Sequence, residues 1–288
     1  METIGESVLW SFFDAAPKAR VATNTAIRRG DGHEVASYLD LATKIAELQF
    51  KNRDHVLVFR GQRNDYRNRN NNTSLKPTLF RPVVPNRNPG PTRLTRRFEI
   101  LRNAEEQLVR HYERAKLDDL ERLKRHRILR WSILQHYEVC RTPLLDVTHS
   151  LRIAASFASV NAKGEAFVFV LGVPNLSGAI TASAEGGLQI VRLSSVCPPS
   201  AIRPHIQEGY LLGEYPEMSD FQQKQNYAHY EIDFGRRLVA KFRLNPKRFW
   251  KKNDAFPPVS EAAFYPDDAD PLCILSKKVH DSIDTSED

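Results

Sequence analysis

Three polar residues at alternate positions carry the clearest chemical signal in the chain. Asp146, Thr148 and Ser150 follow the apolar pair Leu144-Leu145, and on an extended segment alternate side chains share one face. Pro143 biases the residue before it, Thr142, toward an extended path. Ser150 then opens the stretch Leu151–Ser159, in which Leu151, Ala154, Ala155 and Ala158 line up as one apolar stripe. Its hydroxyl therefore reads either as a cleft group or as an ordinary helix N-cap. Just upstream, Gln135-His136-Tyr137-Glu138 offers polar groups able to reach a ligand.

Two further groups could join these. Arg60 follows the four apolar residues Val56-Leu57-Val58-Phe59. A guanidinium there either closes a structural ion pair at a strand end or holds a phosphate or carboxylate in bidentate fashion. Gly61 lets a ligand or another backbone come close, and Gln62 follows it. The second group is Gln207-Glu208, read as part of a later strand. Neighbours on a strand point opposite ways, so one of the two faces the cleft. Glu208 could supply charge there, whereas Gln207 could only hydrogen-bond, and with Gln207 inward the charge would have to come from Glu138 or Asp146. A hydrolytic alternative makes His136 a base oriented by Asp146 or Glu138. Nothing marks a stabilised thiolate at Cys140, and the glycine-rich fingerprints of Rossmann and P-loop sites are absent.

The elements that must position these groups follow from periodicity. Glu34–Phe50 reads as a helix and Val56–Phe59 as a short buried strand. The polar run Asp65–Asn72 and the prolines 77, 82, 85, 89 and 91 read as a substrate-facing or mobile loop. Leu94–Trp131 has helical spacing, as two helices with a break near Asp118-Asp119. Within it Lys124, Arg125, Arg127 and Arg130 have few acidic neighbours in sequence, which suits either a nucleic-acid footprint or a solvated face. Strands are expected at 166–171, 188–193 and 237–244, with a short one at 271–275. Val8–Phe13 reads as an anchoring helix, and the polar end from His280 as frayed. Helices early and strands late argue for an α+β fold. The expected organisation is an N-terminal segment 1–34, an α+β domain 35–275 with a helical insertion at 94–131, and a flexible acidic tail 276–288.

Composition bounds the partners. Of 288 residues 41% are hydrophobic and 27% charged, as in globular proteins with a real core. No apolar run nears the ~20 residues that span a bilayer, so no membrane partner is expected. The first residues lack the pattern of a signal peptide. Three scattered cysteines suggest neither a disulfide framework nor a metal site, and a reducing cytoplasm is the simplest compartment. A net charge of +7 and a pI near 9.3 favour polyanionic partners.

Phe59-Arg60-Gly61-Gln62 with Leu75–Arg81, Gln135-His136-Tyr137 with Leu144–Thr148, and Ile206–Gly209 together resemble the FRG domain family over roughly residues 35–245. Glu138 stands where that family usually has Gly, and Cys140-Arg141-Thr142-Pro143 replaces its Pro-Thr-Arg run. The FRG pattern in turn resembles the ADP-ribosyltransferase fold, which implies a split mixed β-sheet core. The resemblance implies NAD as substrate. It assigns Arg60 to the NAD phosphate or ribose, Thr148 and Ser150 to the nicotinamide pocket, and Gln207 or Glu208 to completing the site. Gly61, Gln62, His136, Tyr137 and Asp146 are the further cofactor-binding candidates. The implied activity is transfer of ADP-ribose, with nucleic acid as an acceptor, by a toxin or defence effector. The alternative is an FRG module that binds nucleic acid or nucleotide without catalysis.

Overall fold

The structure is a computed structural model. It describes the chain except residues 1–3, 5–8, 14–15, 85–86, 176, 227–231, 252–254, 267–268 and 287–288. Its first elements are β1 (Leu9–Ser11), β2 (Arg20–Ala22), α1 (Asn24–Arg29), β3 (His33–Glu34), α2 (Tyr38–Lys51) and β4 (Val56–Gln62). Then come α3 (Pro91–Arg114), α4 (Leu120–Arg125), α5 (Arg127–His136), β5 (Leu145–Thr148), α6 (Leu151–Ser159), β6 (Ala166–Val173), β7 (Ile180–Ser183) and β8 (Leu188–Arg192). The chain continues through α7 (Leu193–Val196), α8 (Arg203–Ile206), β9 (Gly209–Glu214), α9 (Phe221–Gln225), β10 (Leu238–Leu244), α10 (Pro246–Trp250), α11 (Glu261–Phe264) and α12 (Pro271–Asp281).

Eight strands form one mixed sheet in the order β3-β10-β6-β4-β5-β9-β8-β7. Among the described residues only β3 and β10 run parallel. At its centre β6 is buried at every position but Phe167, because β10 and β4 flank it and both faces are covered. That explains its unbroken apolar run. The ladder between β4 and β5 is reduced to one residue pair, Phe59 with Thr148. Past that pair the peptide groups of the two strands need other partners. The Arg60 guanidinium meets part of this need by donating from Nη1 to the Asp146 carbonyl at 2.6 Å. The fold is thus α+β with a large mixed sheet, and the sheet is weakest where Arg60 and Asp146 lie.

Gly61 sets how closely α6 approaches. A Cβ there would lie 1.9 Å from the Ala154 carbonyl oxygen and 2.7 Å from the Ala158 nitrogen. Ala154, Ala155 and Ala158 are buried against it, so the small-residue stripe is what lets the helix lie on β4.

Several expectations are corrected. Leu9–Ser11 is a strand paired with Arg20–Ala22, not part of an anchoring helix; Val8 lies outside the described residues. Asn52 explains this: its side-chain amide accepts from the Trp10 N–H at 2.9 Å and donates to the Trp10 carbonyl at 3.1 Å. The segment 1–34 is also tied to the main sheet through β3. Residues 91–136 make three helices rather than two, with a left-handed Asp119 (φ 66°) at one break. Pro271–Leu275 is helical: Asp270 caps α12 through the Leu272 and Cys273 N–H groups, and Pro271 occupies the first turn. The end is not wholly frayed, since Arg96 binds the Asp284 carboxylate at 2.9 Å and the Ser286 carbonyl at 3.3 Å. The polar run from Asp65 is held as well. Asp65 accepts from Lys241, Arg67 and Thr73, and Lys241 is almost fully buried in β10.

The basic cluster spanning α4 and α5 is mostly occupied inside the molecule. Arg130 and Arg127 both reach the buried Glu105 carboxylate, at 2.8 and 3.3 Å, and Trp131 donates to its other oxygen at 2.8 Å. Lys124 pairs with Glu113 at 3.0 Å and Glu121 at 3.6 Å. These acids come from other turns and from α3, which is why neighbouring sequence made the cluster look short of acid. Arg125 is exposed. Among the described residues no helix is long and apolar enough to cross a membrane.

Candidate functional site

A cavity of about 670 Å³ opens where β4 and β5 part, within the ~300–1,000 Å³ usual for small-molecule sites. Arg60, Gly61, His136, Asp146, Thr148 and Gln207 all line it, although they are dispersed along the chain. Gln62, Tyr137, Ser150 and Glu208 do not. The sheet order accounts for the convergence, because β4, β5 and β9 are successive neighbours.

Each side chain is held by identifiable contacts. Asp146 is bound through Oδ2 by the Gln135 Nε2 at 2.7 Å, and the Gln135 Oε1 accepts from the Thr142 and Thr78 hydroxyls. Burial pushes the Asp146 carboxyl up, and the Arg60 charge opposes that shift. Burial likewise lowers the Arg60 guanidinium to about 10, against the pull of Asp146. Its Nε is buried without a hydrogen-bond partner. The Thr148 hydroxyl faces the Gln207 and Glu208 carbonyls at 3.0 and 3.1 Å and accepts from the Ser150 N–H at 3.0 Å. It therefore pins the turn entering β9. Ser150 occupies the N-cap position of α6, but its side chain makes no cap bond.

Gln207 and Glu208 are not on a strand. They form the turn between α8 and β9, with Glu208 in a left-handed conformation (φ 44°). Gln207 is buried and donates its amide to the Phe264 carbonyl at 3.0 Å. Glu208 is exposed. Two residues in a turn need not obey strand alternation, and here the amide turns inward and the acid outward. Tyr137 donates its hydroxyl to Asp270 at 2.8 Å and serves the wall behind the cavity.

His136 is buried, and its Nε2 has no partner. A backbone hydrogen bond with Arg203 engages the ring, while burial and then the Arg203 charge hold its pKa well below the usual value. The imidazole is thus neutral in the folded state at neutral pH, and an Arg rather than a carboxylate is its neighbour. Sign follows from proton binding: below about 6.5 the unfolded chain takes up a proton that the folded chain refuses, so acid destabilises the fold. The contribution is fully present above that pH and falls by up to ~1.4 kcal/mol per unit below it. Urea melts at pH 7.0 and 5.5 should show this loss, and His136→Gln should remove one proton's worth of the slope. An unchanged slope would contradict a neutral buried imidazole. Burial pushes the Cys140 thiol up to about 12, so it is no ready nucleophile at neutral pH.

Further residues complete the walls. Arg81 lines the cavity, as do Arg203, Tyr210, Tyr265 and Glu138. Arg203 spans the Tyr137 and Tyr265 rings, 5.5 and 4.7 Å from their centres, and bonds the Glu138 carboxylate at 3.0 Å. Guanidinium groups, aromatic faces and few acids suit an anionic ligand with planar rings. Among the described residues no cluster of His, Cys, Asp and Glu could hold a metal ion.

The protein is therefore an α+β protein with an arginine-lined cavity at the weak seam of a mixed sheet. Residues 55–166 match the family model for the FRG domain. The first two sequence landmarks fall inside that match, whereas the turn at Gln207 lies beyond it. The curated proteins and the solved structures compared with the chain gave no significant match.

Proposed function

We propose that the cavity binds NAD and that the protein is an ADP-ribosyltransferase acting on a polyanionic acceptor such as nucleic acid. The observation carrying this reading is the convergence of Arg60, Thr148 and Gln207 on one cavity. In this reading Arg60 orients the diphosphate electrostatically, without covalent chemistry. His136 and Tyr210 line the same cavity. The net charge of +7 favours approach of nucleic acid. Such an activity would suit a toxin or defence effector.

Titration calorimetry with NAD, together with release of nicotinamide from labelled NAD, tests the reading. Arg60→Lys keeps the charge but loses the planar fork. It should weaken NAD binding by about 10- to 100-fold, the equivalent of one charge-assisted hydrogen-bond set. No NAD binding and no nicotinamide release by the wild-type protein would remove the proposal.

A second reading, binding without catalysis, is favoured by the exposed position of Glu208. It predicts NAD binding with no nicotinamide release. For nucleic acid it predicts affinity that falls steeply with salt.

A further inference from the structure

We infer that Glu138 is the catalytic carboxylate of this site, an inference that rests on the NAD-cleaving reading above. Helix α5 ends in a Schellman arrangement: the Val139 N–H bonds the Leu134 carbonyl at 2.9 Å and the Glu138 N–H bonds that of Gln135 at 3.1 Å. This motif puts its penultimate residue in the left-handed region, and Glu138 is there at φ 57°. Glycine is the usual occupant, since it avoids the Cβ penalty. A carboxylate at this place also faces the negative end of the helix dipole. Local structure thus argues against Glu at position 138 on two counts. Five other described non-glycine residues have positive φ, and Glu138 alone among the six lines the cavity.

The other acids are less suited. Glu208 lies outside the cavity. Asp146 lines it, but its carboxylate is bound by Gln135 and set against Arg60. Glu138 keeps a largely accessible side chain, 71% exposed, and Arg203 steers it through one oxygen at 3.0 Å. Arg203 is itself fixed between two tyrosine rings. The carboxylate is thus oriented yet open to a ligand.

In the reaction the bond from ribose C1′ to the nicotinamide nitrogen breaks, and its electron pair leaves with neutral nicotinamide. Positive charge left on the ribose is met by the Glu138 carboxylate, which forms no bond to it. The acceptor then bonds to C1′ and gives up its proton to solvent.

Glu138→Gln in the full chain is the test, because the amide can still accept from Arg203 and retains the backbone conformation. Nicotinamide release should fall at least ~100-fold, as for loss of one electrostatic group at a transition state. The Kd for NAD should change less than about threefold, and the Tm should match wild type. A wild-type rate in Glu138→Gln would overturn the inference while leaving the NAD reading intact. So would a parallel loss of binding and turnover, or a loss confined to Glu208→Gln. A wild-type protein that binds NAD without releasing nicotinamide would instead remove the transferase reading, and this inference with it.

Discussion

Gly61→Ala should destabilise the fold severely. The added Cβ would sit 1.9 Å from the Ala154 carbonyl oxygen, a backbone atom inside α6. No side chain can rotate away to relieve that contact. Either α6 lifts from β4 or β4 bends, and both elements are built into the core through Phe59, Ala155 and Ala158. Overpacking a core by one carbon costs typically 1–3 kcal/mol, and more where backbone must move. A loss of about 4 kcal/mol is expected here, a large share of the ~5–15 kcal/mol that a domain has in reserve. Circular dichroism melts and soluble yield measure it. A melt within 2 °C of wild type would show that helix and strand are not in the contact described.

Asp270→Ala should be comparably severe, through lost hydrogen bonds rather than a clash. Asp270 is fully buried and accepts from the Tyr137 hydroxyl and from the N–H groups of Ile202, Arg203, Leu272 and Cys273. One carboxylate therefore ends two helices, α8 and α12, and holds the tyrosine under Arg203. Removing a helix cap costs about 0.5–2 kcal/mol, and each buried donor left unpaired costs ~1–3 kcal/mol. A total near 4 kcal/mol follows even if water replaces some partners. Asp270→Asn, which retains acceptor oxygen but not charge, should recover part of it. Denaturant midpoints for the two variants make the comparison, and equal stability of Asp270→Ala and wild type would refute the network.

What could be read beforehand tracks how local each signal is. The strand Val56–Phe59, the Ala-rich helix after Ser150 and the apolar β6 follow from short-range pattern, and all three are present. Arg60 and Thr148 line one cavity. Glycine at 61 was open between a ligand and a backbone as its close neighbour, and α6 is the neighbour. Other features depend on residues far away in sequence. Trp10 is held extended by Asn52, and Arg130 is neutralised by Glu105 one helix away. Strand alternation failed at Gln207-Glu208 because they belong to a turn. Arg203 and Tyr265 sit in short elements with no periodic pattern, so nothing local drew attention to them. Glu138 did carry a signal: an acid directly after a helix whose closing residue should be glycine.

The cavity has two builders. The segment matching the FRG domain, 55–166, provides Arg60, His136, Glu138, Asp146 and Thr148, while Arg203, Gln207, Tyr210 and Tyr265 come from beyond it. Excising the matched segment would yield one jaw of a vice, and grafting it elsewhere would transplant only that jaw. A match over this segment alone therefore does not carry the ligand preference of the whole cavity.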